Sequence, residues 1–263
     1  MKRLNACFFL SILCCTPFSQ TWAQDHVPID MSANWLRRDG EECKDPTVAR
    51  QKDGIFSIRS DHSSALFWQI PTQNGPLPID RDQSWIRKCK RPPLGYESKI
   101  RKQARGVHNL VDVSDYPYLT WRWRVEGTID DTRTAKKKGK IRKEANDFAA
   151  KIGISILSKS GKLREIAYIW TRTIPKETAL TQETVVIPII LKFKWYRIVA
   201  ESGEQNLNTW VPVTRNLYAD YKRFYPDEEP GEVARIYLMT DSDNTSSKVA
   251  AAYADIVFHR NKP

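Results

Sequence analysis

Four histidines, at positions 26, 62, 108 and 259, are scattered through 263 residues without metal-ligand spacing. There is no Gly-x-Ser-x-Gly, no phosphate-cradling glycine loop and no dinucleotide fingerprint, which argues against zinc hydrolases, α/β-hydrolases and nucleotide enzymes. Glycine is sparse, 11 residues in all, and no collagen or coiled-coil period is visible. After residue 23 no stretch approaches the ~18 uncharged apolar residues that a membrane-spanning helix needs. Cysteine is also scarce: three of the five lie at positions 7, 14 and 15, leaving Cys43 and Cys89 for the remainder.

Residues 1–23 read as a secretory signal peptide, with Lys2 and Arg3 as the positive start, an apolar run over 6–15, and Thr21-Trp-Ala offering small residues before a cleavage point at Gln24. The expected location is therefore periplasmic or secreted. Removing Lys2 and Arg3 takes the basic residues from 42 to 40 against 31 acidic ones, a net charge of +9. In an oxidising compartment Cys43 and Cys89 are expected to pair as a disulfide. A loop of that length would add about 4 kcal/mol by chain entropy, less any strain.

The abundant class is aromatic: 9 Trp, 10 Tyr and 9 Phe supply a core that a disordered chain would not carry. Residues 118–126 alternate strictly, with Leu119, Trp121, Trp123 and Val125 on one face and Tyr118, Thr120, Arg122, Arg124 and Glu126 on the other. Residues 147–157 repeat the pattern, with Phe148, Ala150, Ile152, Ile154 and Ile156 apolar and Asp147, Lys151 and Ser155 opposite. Further strands are expected over 163–171, 184–191, 193–201, 232–240 and 250–259, and a hairpin over 54–70 that turns at 60–63. Leu217, Tyr218, Tyr221 and Phe224 recur at helical spacing between Val213 and Pro226, with Thr214 able to cap the start. Many strands, one short helix and no β-α-β rhythm predict an all-β fold, an antiparallel two-sheet sandwich of jelly-roll type, over residues 24–263 as one domain. The Pro-rich, Cys-bearing segment 71–112 reads as a surface insertion.

Three features could carry chemistry. The polar face bearing Arg122, Arg124 and Lys151 is either ordinary solvent-facing sheet or a cationic cleft suited to hydroxylated and carboxylate-bearing ligands. Asp241, Asp243 and Asn244 lie in a run that lacks the Gly and Glu of an EF-hand; it is either an Asx-built turn or a structural Ca²⁺ site, which Asp147 and Asp255 could complete in space. The basic run over 133–143 is either a solvated hairpin loop or a polyanion-binding one, and export argues against nucleic acid as its partner.

Tyr118-Leu-Thr-Trp-Arg-Trp-Arg-Val, Asn146-Asp-Phe-Ala-Ala-Lys, Ala167-Tyr-Ile-Trp, Leu217-Tyr-Ala-Asp-Tyr-Lys-Arg, Met239-Thr-Asp-Ser-Asp-Asn-Thr and Ala252-Tyr-Ala-Asp-Ile-Val-Phe occur in that order. Together these strings resemble a secreted bacterial family, domain of unknown function 3047, over roughly residues 35–258. The resemblance implies an envelope protein and names no reaction. Lys151 departs from it, since Arg is expected there; the charge is kept and the bidentate fork is lost. The expected role is binding of a carbohydrate or other anionic envelope glycan through Arg122, Arg124, Lys151, Trp170 and Tyr221, with no organic cofactor. The alternative is a polysaccharide hydrolase or lyase in which Asp147, Asp241 or Asp243 acts as acid, base or nucleophile in the same cleft.

Overall fold

The computed structural model describes residues 24–33, 35–39, 48–76, 107, 109–129, 136–137, 140–141, 147–187, 191–243, 245 and 247–263. The signal segment, Cys43, Cys89, Asn244 and most of the segments 71–112 and 133–143 lie outside the described residues. In chain order the strands are β1 (His26–Pro28), β2 (Leu36–Asp39), β3 (Val48–Lys52), β4 (Ile55–Asp61), β5 (Ser64–Gln69), β6 (Pro71–Thr72), β7 (Gly75–Pro76), β8 (Tyr118–Val125) and β9 (Lys136–Lys137). They continue as β10 (Lys140–Ile141), β11 (Phe148–Leu157), β12 (Leu163–Thr171), β13 (Ala179–Ile187), β14 (Leu191–Ser202), β15 (Val211–Asn216), β16 (Glu232–Asp241) and β17 (Lys248–His259). The helix among the described residues is α1 (Leu217–Phe224), and none is long and apolar enough to cross a membrane.

Two sheets stack face to face. One runs β15-β8-β17-β4-β3 with β1 paired to β17; the other runs β13-β14-β12-β11-β16-β5-β2. This is the expected jelly-roll-like sandwich. Its core is laid down by period-two alternation: Trp121 and Trp123 of β8 are buried and face Tyr168 and Trp170 of β12, with ring centroids 5.1 and 5.7 Å apart. Each such aromatic pair adds about 0.5–1.5 kcal/mol beyond its buried area. The β12–β14 pair is parallel, because the chain leaves β12, forms the edge strand β13, and returns into the gap between them.

Three local expectations are corrected. β4 and β5 are not a hairpin: β4 pairs with β3 and β17, β5 with β2 and β16, so residues 60–63 carry the chain from one sheet to the other. His62 makes that corner at φ 54°, and its N–H donates to the Ser247 carbonyl.

Phe148 lies on the side of its sheet away from the sandwich core, buried in a separate cluster with Ile169 and Val199, because a bulge between Phe148 and Lys151 turns both Ala149 and Ala150 inward. The bulge interrupts the β11–β16 ladder. Tyr253, reaching across from β17, accepts from the Lys151 N–H at 3.1 Å and donates to the Met239 carbonyl at 2.8 Å, so one phenol repairs the ladder and ties the two sheets together.

Finally, Thr214 belongs to β15, and the helix is capped by Asn216, whose side chain accepts from the Ala219 N–H at 2.9 Å. The helix is anchored from below: Asp220 accepts from Tyr168 Oη at 2.8 Å and from Arg215 Nε at 3.0 Å.

Candidate functional site

The outer face of the sheet containing β8 holds a hollow of ≈ 640 Å³, lined in part by Arg50, Lys52, Asp53, Ser57, Arg59, Arg124, Glu126, Ala250 and Ala252. Its shape follows from register. Arg124 lies beside Ala252, Ala252 beside Ser57, and Ser57 beside Arg50, so one row across four strands reads large, small, small, large. Ala250 and Ala252 of β17 give the hollow a floor of methyl groups, and arginines on β3, β4 and β8 form its walls.

Four cations and two carboxylates line the hollow, a local excess of positive charge. Glu126 spans it, accepting from Arg59 at 3.1 Å and lying 3.8 Å from Arg124. Arg50 has no carboxylate partner among the described residues. Trp210, part-buried, sits under both arginines of β8, with guanidinium carbons 5.3 Å (Arg122) and 5.4 Å (Arg124) from its ring centre. Arg122 is ion-paired to Asp255. The Nε of Arg124 is shut off from solvent and has no acceptor.

The other sheet places a second polar group on its outer face. Tyr237 lies beside Gly153, Gly153 beside Ala167, and Ala167 beside Arg197. A side chain on residue 153 would overlap the Tyr237 ring, so glycine is what lets the phenol lie across β11. The ring reaches Glu165 of β12, whose carboxylate accepts from Tyr237 Oη at 2.5 Å and from Arg235 at 3.0 Å. Ser155 accepts from the Arg235 Nε at 3.2 Å.

Lys151 belongs to this buried assembly, 5% exposed, with its ammonium 5.0 Å from the Tyr237 ring centre and 5.2 Å from that of Phe148. Burial, with Arg197 adding to it, brings its pKa down to about 7. Burial and the neighbouring Glu165 push the Tyr237 phenol well above its usual value.

At the end of the same sheet Asp147, Asp241 and Asp243 converge, one carboxylate oxygen from each lying within 4.8 Å of the others. Thr245 clamps Asp147 through its N–H at 2.7 Å and its hydroxyl at 2.6 Å. Burial raises the Asp241 carboxyl well above the carboxylate range, and repulsion from Asp243 and Asp147 adds to the effect.

Against these positions the expected site divides. Arg122 and Arg124 share one outer face; Lys151 lies on the outer face of the opposite sheet, because β8 and β11 belong to different layers. Trp170 and Tyr221 are core residues at 0% exposure: Trp170 Nε1 donates to the Gly203 carbonyl, and Tyr221 lies on the buried side of the helix, so neither offers a ring to a ligand. Asp147, Asp241 and Asp243 do meet, but in the layer away from Arg122 and Arg124, so the carboxylates and these arginines share no cleft. Asp255 pairs with Arg122 instead of joining them. The sequence reading missed Arg50, Ser57, Arg59, Ala252 and Trp210. The small residues of 250–254 were a visible signal, since polar faces rarely spend three alternate positions on alanine.

A family model described as protein of unknown function, DUF3047, matches residues 106–257. No curated protein matches the chain. Among solved structures, the xyloglucanase domain of NopAA, a type three effector from Sinorhizobium fredii in complex with cellobiose, is 9% identical over 86% of this chain and 92% of its own, with a TM-score of 0.38. Endoglucanase cel12A from Rhodothermus marinus is 10% identical over 89% and 95%, with a TM-score of 0.37. A loop-swap mutant of Necallimastix patriciarum Xyn11A is 8% identical over 86% and 100%, with a TM-score of 0.33.

Proposed function

This chain belongs to the DUF3047 family of proteins of unknown function, and we propose that it binds an extended anionic glycan of the cell envelope in the alanine-floored hollow. The observation that carries this reading is the row Arg124, Ala252, Ser57, Arg50, which provides a low floor between two guanidinium walls. A chain of uronate-type sugars suits such a trough: its rings can lie on the methyl floor while its carboxylates meet planar forks on either side.

Magnitudes favour exchange. The Glu126 contacts to Arg59 and Arg124 are solvent-exposed ion pairs, each worth about 0–1 kcal/mol, so a ligand carboxylate displaces them at little cost. Among the described residues Arg50 has no carboxylate to displace. Trp210 holds the Arg124 guanidinium in place before a ligand arrives, which lowers the entropy lost on binding. Export, expected from the amino-terminal segment, would bring the hollow to envelope glycans. Binding is chosen over turnover because Asp147, Asp241 and Asp243 lie on the other layer.

Isothermal titration of the chain with short oligogalacturonides and with neutral cello-oligosaccharides tests this. The uronides should bind and the neutral sugars should not, and affinity should fall steeply as salt screens the exposed charges. Equal binding of both classes, or affinity indifferent to salt, would contradict it.

A further inference from the structure

We propose that Asp147, Asp241 and Asp243 form a Ca²⁺ site that fastens the loop after β16 to the start of β11. This goes beyond the glycan reading and does not depend on it. Asp241 is the last residue of β16 and lies beside Phe148, so register brings Asp147 next to it, and Asp243 follows within the loop. One oxygen from each lies within 4.8 Å of the other two. Three carboxylate oxygens gathered that closely can share one hard divalent cation, and Ca²⁺, which accepts irregular oxygen shells, suits them better than Mg²⁺, which demands a near-ideal octahedron and gives up its waters reluctantly.

Proximity of acids alone would say little. The second observation is the Asp241 side chain: the residue is 6% exposed, and its Oδ1 has neither solvent nor a hydrogen-bond partner. A buried carboxylate oxygen left without a donor costs about 1–3 kcal/mol, more when charged, and persists when something else supplies positive charge.

Hydrogen bonds fix the described residues on either side of the acids. Ser242 donates its N–H to the Ser63 carbonyl at 3.0 Å, its hydroxyl accepts from the Ser63 N–H at 3.2 Å, and Ser247 donates back to the Ser242 carbonyl at 3.3 Å. Thr245 in turn holds Asp147. An all-carboxylate set suits a hard cation better than the softer metals that prefer nitrogen or sulfur.

The test is calorimetric titration and thermal melting of the chelator-stripped full chain with Ca²⁺ and with Mg²⁺. One Ca²⁺ should bind per chain, at least tenfold tighter than Mg²⁺, and should raise Tm by several degrees. Asp243→Asn, at the less buried position, should weaken Ca²⁺ at least tenfold and remove the rise in Tm, whereas Asp255→Asn should leave both intact. If Asp243→Asn does not fold, Asp147→Asn serves in its place, and direct metal counting after equilibrium dialysis of the parent chain decides stoichiometry without any variant. No heat, no rise in Tm and no retained calcium at millimolar Ca²⁺ would overturn the site, as would Asp243→Asn binding Ca²⁺ like the parent.

Discussion

Both sheets turn arginine, glutamate and small residues outward, but the two faces end in opposite states. On the sheet containing β8, the row Arg124, Ala252, Ser57, Arg50 stays open, its charges exposed and loosely paired. On the sheet containing β11, the corresponding row is Tyr237, Gly153, Ala167, Arg197, and the Tyr237 ring fills the space above the glycine and locks onto Glu165. The open face can exchange its partners with a ligand, whereas the closed one has spent them on the fold. A buried pair broken on one side costs far more than an exposed one, so the faces should answer mutation very differently.

The sharpest contrast is Arg235→Ala, which leaves Glu165 buried without its guanidinium; a loss of about 3–5 kcal/mol in urea unfolding is expected. Gly153→Ala comes next: the added methyl must evict the Tyr237 ring and break its bond to Glu165, at about 3 kcal/mol. A smaller loss in either would mean that the closed face is not held by this pairing.

Lys151→Met goes the other way. The Lys151 amine titrates near 7 in the folded chain and at its ordinary 10.5 when unfolded, so between those values the unfolded chain binds more protons and the parent gains stability as pH rises. The full penalty of the buried charge applies below about pH 7. The variant should therefore be more stable than the parent by a few kcal/mol at about pH 6, with the gap closing toward pH 10. A gap independent of pH would contradict burial as the cause.

The smallest effect lies away from both faces. Glu228 accepts from Arg164 Nε at 2.8 Å and from Lys162 at 2.9 Å, which holds its carboxyl at about 2. Its contribution is present above pH 4.5 and lost as pH falls toward 2; screening by solvent limits it to about 1 kcal/mol, measurable as a flatter acid limb in Glu228→Gln.

Much of the fold could be read from alternation, and β12 runs over the same residues that the pattern marks. What alternation could not report was which strands become neighbours. Residues 54–70 look like a hairpin because a turn joins two strands, and only long-range pairing sends them to different sheets. Phe148 misled for a related reason: one bulge reverses the side-chain phase, and Ala149 is small enough to hide it. The Asp241, Asp243 spacing was legible, while the link to Asp147 came from register between distant segments. The hollow was the least legible part, because Arg50 and Arg124 face each other across β4 and β17 although more than seventy residues separate them in sequence.

The most direct measurement titrates one oligogalacturonide into Arg50→Ala/Arg124→Ala and into Lys151→Met, with Tm recorded for each. The account predicts that the double variant keeps the parent Tm to within about 2 °C, as surface changes do, and loses at least tenfold in affinity, while Lys151→Met binds like the parent. Intact binding in the double variant, or loss confined to Lys151→Met, would place the ligand on the wrong face and contradict the account.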